Sequence, residues 1–207
     1  MQVIHSTSVV QISGSKRATK TCGIAGAKGR QVSVIFLAGV HGVGKGFLGA
    51  PVAESLGLNH FTASQLIREE KGRATWGVDK RVAELDDNQS ALIRAVRQRR
   101  EAGRDILLDG HFVLRSSSGE LVRLMTEVFA DLHLAGVILL TEDPQTIADR
   151  LIGRDEMVAS TESIVELAAE ESAHAHDVCS ALQVPLTVLR WPNERTLTEA
   201  VTRLLKT

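Results

Sequence analysis

Eight consecutive residues, Gly39-Val40-His41-Gly42-Val43-Gly44-Lys45-Gly46, have the types and spacing to hold phosphate groups. They follow the apolar run Val34-Ile35-Phe36-Leu37-Ala38 and precede an amphipathic stretch, so a buried strand should lead through the loop into a helix. Glycines let such a loop turn its backbone amides inward without Cβ obstruction, forming a nest for an anion. The helix begins near Lys45, so its first amides and its dipole face the same anion. Lys45 adds a point charge suited to β- and γ-phosphates. The residue after the lysine is Gly46, where Ser or Thr would supply a hydroxyl to Mg²⁺. A metal ion here would depend on the nucleotide, on water and on a carboxylate from elsewhere in the chain.

The loop, read as G-x-x-G-x-G-K-G, resembles that of adenylate kinases and related nucleoside monophosphate kinases, and three further segments appear in the order of that family. Phe61-Thr62-Ala63-Ser64-Gln65-Leu66-Ile67-Arg68 is similar to the acceptor stretch His-Ile-Ser-Thr-Gly-Asp-Leu-Leu-Arg. The resemblance implies that Arg68 reaches the acceptor phosphate and that Thr62 lies near the acceptor base. Ile106-Leu107-Leu108-Asp109-Gly110-His111-Phe112 resembles Leu-Leu-Asp-Gly-Phe-Pro-Arg, which implies that Asp109 emerges beside the phosphates and holds hydrated Mg²⁺. Ala148-Asp149-Arg150-Leu151-Ile152-Gly153-Arg154-Asp155 resembles the segment that opens the family's lid, implying that Arg150 and Arg154 neutralise the migrating phosphoryl group.

Two departures bear on the acceptor. Phe112-Val113 stands where the family has Pro-Arg, and Arg115 would replace that arginine only through a bulged loop. The lid is short, about residues 150–162, and the helix after it offers Glu162, Glu166, Glu170 and Glu171, which read as a solvated acidic face. His111 is an ionisable group near the site, with a structural and a catalytic role both open.

The elements that must position these groups alternate along the chain. Strands are expected at Val32–Leu37, Asn59–Phe61, Asp105–Asp109, Gly136–Leu140 and Leu186–Leu189. Helices are expected at Gly46–Leu56, Ala63–Lys71, Lys80–Ala102, Leu121–Ala130, Pro144–Gly153, Ser160–Leu182 and Glu194–Leu205. In the third, Val82, Leu85, Leu92, Ile93 and Val96 form one apolar stripe. The alternation predicts a three-layer α/β domain over residues 31–207, with the acceptor region at about 60–102. The resemblance adds the P-loop kinase fold, five parallel strands in the order 2-3-1-4-5.

The 207-residue chain suits one sizeable core. A net charge of −1 gives no global argument for a nucleic-acid or membrane partner. Charge is uneven, however: no Asp or Glu precedes Glu54, while residues 1–30 carry Lys16, Arg17, Lys20, Lys28 and Arg30. That segment reads as a disordered basic extension, the one place where nucleic acid is indicated. Cys22 and Cys179 form no disulfide or metal framework, which points to a reducing, cytoplasmic setting. No apolar run reaches the length of a membrane span.

The leading reading is transfer of the γ-phosphoryl of ATP to a nucleoside monophosphate; the alternatives are transfer to another small acceptor with Asp109 or His111 as base, or a P-loop ATPase acting as a regulatory switch. Oligomeric state is not legible.

Overall fold

Strand β1 (Val34–Ala38) is apolar at every position because both its faces are covered. The computed structural model describes residues 32–73, 83–116, 118–152 and 160–206. The basic extension over residues 1–30, Val82, Arg154 and most of the short lid lie outside the described residues. From β1 the chain runs through α1 (Lys45–Leu56), β2 (Asn59–Thr62), α2 (Ala63–Arg73), α3 (Ala83–Glu101) and β3 (Ile106–Asp109). Next come β4 (Val113–Arg115), β5 (Leu121–Arg123), α4 (Thr126–Asp131), β6 (Leu134–Thr141) and α5 (Pro144–Ile152). The described chain closes with α6 (Thr161–Leu182), β7 (Leu186–Arg190) and α7 (Glu194–Leu204).

Five strands pair in the order β2-β3-β1-β6-β7, all parallel. Counted among themselves they run 2-3-1-4-5, as the resemblance implied. Alternate residues of the central strands feed two cores. Val34, Phe36, Ile106, Leu108, Val137 and Leu139 face one side and pack with α3, α4 and α6. Ile35, Leu37, Leu107, Ile138 and Leu140 face the other and pack with α1, α5 and α7. Each fully buried Leu, Ile or Phe contributes about 1.5–3 kcal/mol, so this double-sided burial is what holds the sheet central. Among the described residues, no helix is long and apolar enough to cross a membrane.

One expected helix is not present. Leu121–Ala130 divides into strand β5 and the short helix α4, and β5 pairs antiparallel with β4 through Leu114↔Val122. The turn between them closes with Ser116 N donating to Glu120 O (2.8 Å), and Gly119 adopts a left-handed φ of 88° there. Extended pairing therefore prevails over the helical spacing of Leu121, Leu124 and Val128.

The hairpin rests on α6, and this corrects the reading of the acidic run as a solvated face. Arg115 pairs with Glu166, and Arg123 with both Glu170 and Asp177. These pairs are exposed, and each is worth no more than about 1 kcal/mol. The apolar support lies beneath, where Phe36, Phe112 and Phe129 meet at centroid distances of 4.4–5.5 Å. Phe112 is fully buried at the root of β4. Phe112→Ala is expected to cost about 3–5 kcal/mol, read as a lower urea midpoint in chemical denaturation.

Candidate phosphate and acceptor site

The loop after β1 takes its shape from positions only glycine tolerates. Gly39 has φ 139°, and a Cβ there would stand 2.7 Å from the Leu140 carbonyl oxygen of the neighbouring strand. Gly44, at φ 106°, is the residue that opens α1, with no side-chain cap and no acidic residue in the first turn. The first amides of α1 thus remain available to an anion. Lys45 is buried; its Nζ donates to the carbonyls of Gly39 and Val40 and lies 3.8 Å from Asp109 Oδ1. Burial lowers the Lys45 pKa, opposed by the carboxylates of Asp109 and Glu171.

Asp109 ends β3, in register with Leu37 of β1, so the parallel pairing delivers its carboxylate to the mouth of the loop. Burial raises its pKa, with Lys45 acting in the opposite sense. His111, two residues on, is held well below the ordinary histidine range by burial, then by Lys45 and His41, against a hydrogen bond to the Gly39 backbone. Its ring lies 4.3 Å from that of His41.

The group that joins these segments is Glu171 of α6. It is 2% exposed; its Oε1 accepts from Gly39 N (3.2 Å), and its Oε2 from Phe112 N (2.9 Å) and Val113 N (2.7 Å). One turn further along α6, His174 Nε2 meets Leu124 O at 2.7 Å. The sequence signal was present: Glu171 interrupts the apolar stripe formed by Ile164, Leu167, Ala175 and Val178.

A cavity of about 660 Å³ opens from the loop. At one end it is lined by Val40, His41, Gly42, Gly44, Lys45 and Gly46, with Asp109 and His111 opposite. Thr62 lines it too. The far wall is apolar, built from Ile67 of α2, Leu92 of α3, Leu114 and Leu124 beside the hairpin, and Val128, Phe129 and Leu132 around α4. Two amide side chains of α3, Asn88 and Gln89, interrupt that wall. Sequence reasoning missed both, along with the hairpin's part in the wall.

The remaining expected residues stand elsewhere. Gly39 and Val43 belong to the loop but not to the cavity lining. Arg150 lies against the loop, donating to Gly42 O (3.2 Å) and Val43 O (3.3 Å), with Glu142 Oε2 at 3.0 Å, and is not among the residues lining the cavity. Arg68 is exposed on α2 and is not on the cavity wall. Arg115 is engaged by Glu166 and by the carbonyls of Gly119 and Ser163, so it does not replace the missing acceptor arginine.

The residues present fit a hydrated Mg²⁺. A Cβ on Gly46 would stand 3.9 Å from Asp109 Oδ2, so the carboxylate flanks the position from which a hydroxyl ligand would otherwise project. One carboxylate is what an ion that retains several waters requires of a protein.

Glu171→Ala leaves three buried amides without an acceptor and is expected to cost about 3–5 kcal/mol. Glu171→Gln should fall between the wild type and Glu171→Ala. Burial raises Glu171 above its ordinary 4.5, so the folded protein binds that proton more tightly than the unfolded chain. Wild-type stability is therefore lost as pH rises through the raised value, whereas Gln does not titrate. The deficit of Glu171→Gln relative to wild type should shrink as pH rises above the ordinary carboxylate range and through the raised value, measured by urea denaturation.

A family model described as an AAA domain matches residues 38–168, more than half of the chain. No curated protein matches the sequence. Among solved structures, shikimate kinase from Bacteroides thetaiotaomicron superposes with a TM-score of 0.53 at 15% identity, over 84% of this chain and 99% of that one. Shikimate kinase from Acinetobacter baumannii, in complex with shikimate, gives 0.54 at 13% identity, over 84% of this chain and 93% of that one. A sugar kinase from Janibacter sp. HTCC2649 gives 0.50 at 16% identity, over 84% and 95%. At such identities the likeness is one of fold. With the glycine loop, Lys45 and the 2-3-1-4-5 sheet in place, the chain belongs to the AAA domain family and has the P-loop kinase fold.

Proposed function

We propose that the protein is an ATP-dependent phosphotransferase whose acceptor is a small, uncharged molecule phosphorylated on a hydroxyl group. The observation that carries this reading is the cavity, with Lys45, Asp109 and the loop amides at one end and an apolar wall at the other. Such a wall suits an uncharged body better than a second phosphate, which would need cationic partners. The shikimate kinases and the sugar kinase share the fold, and their names give small molecules as acceptors.

In this mechanism the loop amides and Lys45 hold the β- and γ-phosphates of ATP, and Arg150 braces the loop. The acceptor hydroxyl oxygen attacks the γ-phosphorus, and the bond from that phosphorus to the β–γ bridging oxygen breaks. ADP leaves with that electron pair, and the hydroxyl proton passes to Asp109. Asp109, at the end of β3 and beside Lys45, is the carboxylate placed to take it. Mg²⁺, anchored through water on Asp109, would supply charge neutralisation to the phosphate oxygens. His111, kept neutral, adds no charge beside the attacking oxygen and orients against Gly39.

A nucleoside monophosphate acceptor is the second reading, favoured by Thr62 at the cavity wall. Assay of the protein with ATP, Mg²⁺ and panels of uncharged hydroxy compounds and of monophosphates separates the two. Lys45→Ala should abolish turnover, and Asp109→Asn should lower kcat by about 10²–10⁴-fold. Turnover of monophosphates alone would favour the second reading. ATP hydrolysis without any phosphorylated acceptor would sink both and leave a nucleotide-hydrolysing switch.

A further inference from the structure

The apolar face of α3 is interrupted at Gln89, which lies one turn before Leu92 and two before Val96. Its side chain is 6% exposed, it lines the cavity, and its Oε1 has no hydrogen-bond partner among the described residues. A buried amide oxygen without a partner is unfavourable to the fold, and the adjoining wall of Leu92, Ile67 and Phe129 offers it nothing. A polar atom buried at the cavity wall without a partner is available to a bound molecule that carries a donor.

We infer that Gln89 is an acceptor-recognition residue whose Oε1 accepts a hydrogen bond from a hydroxyl or N–H group of the bound molecule. This rests on the phosphotransferase reading above and specifies its substrate. The acceptor is uncharged, with a ring-sized apolar body, one hydroxyl at the Asp109 end and a second hydrogen-bond donor at the α3 end. A phosphate oxygen, itself only an acceptor, would not satisfy Oε1. A site built around a hydrogen bond rejects analogues that lack the donor, because the buried oxygen is then left unpaired.

Gln89→Met keeps the length of the side chain and removes the oxygen, and Gln89→Leu serves as a second variant should the first fail to fold. Both are measured as free protein by thermal denaturation. Both are then assayed with ATP, Mg²⁺ and a panel of nucleosides, cyclic polyols, aromatic alcohols and nucleoside monophosphates. The free variants are expected to melt at or above the wild-type temperature, because an unpaired polar atom has been removed. The KM of the acceptor should rise about tenfold to a hundredfold, with a much smaller change in kcat and in the KM of ATP. Analogues lacking the second donor should lose their disadvantage in the variants. If both variants melt several degrees lower, Oε1 serves the fold and the inference is overturned. If an uncharged acceptor is turned over with unchanged KM in both variants, the inference falls while the phosphotransferase reading stands. If the wild type phosphorylates nothing, or monophosphates alone, the underlying reading fails and takes this inference with it.

Discussion

One carboxylate ties the site together. Glu171 accepts backbone hydrogen bonds from Gly39 at the start of the glycine loop and from Phe112 and Val113 beyond β3. The loop that holds phosphate and the segment that carries Asp109 and His111 come from different strands. Parallel pairing aligns those strands but says nothing of the loops past their ends. The α6 helix, docked across them, fixes both with two oxygens of one side chain. The cost is a charge held out of water, offset by three amide donors and the nearby Lys45.

Lys45 and Asp109 make the complementary arrangement on the solvent side of that clamp. Each is shifted by burial toward its neutral form, and each opposes the other's shift. A bound triphosphate would bring further negative charge beside Lys45 and favour its charged form against the burial that lowers its pKa. The apolar wall opposite has no such demand. The two ends of the cavity are thus specialised for different chemistry, and the sheet's order, with β1 and β3 adjacent, sets them side by side.

Much of this was legible in the sequence. The apolar strands and the glycine loop carried local signals strong enough to place the sheet and the phosphate end, and the resemblance added the strand order and the position of Asp109. The acceptor end was less legible for physical reasons. Gln89 and Glu171 are polar residues embedded in apolar helical stripes, and polar residues on helices ordinarily face solvent. The hairpin was concealed because Leu121, Leu124 and Val128 satisfy a helical period as well as they satisfy β5 and α4. Arg68 matched a motif in sequence, but it is exposed on α2 and does not line the cavity, which a motif alone does not specify. The neighbouring Arg115 was drawn off by Glu166, a partner 51 residues away in the chain.

The β4–β5 hairpin is fastened unequally along its length. Its roots are held by buried bonds, Glu171 to Phe112 and Val113 and His174 to Leu124, whereas its flanks are held by exposed ion pairs. Substitutions along its length can therefore accumulate without disturbing the glycine loop, while its inward residues Leu114 and Leu124 shape the space available to an acceptor. The glycine loop and the hairpin wall of the cavity are thus shaped by separable parts of the chain. Such a division lets the wall of the cavity vary in sequence while the backbone geometry of the glycine loop stays fixed.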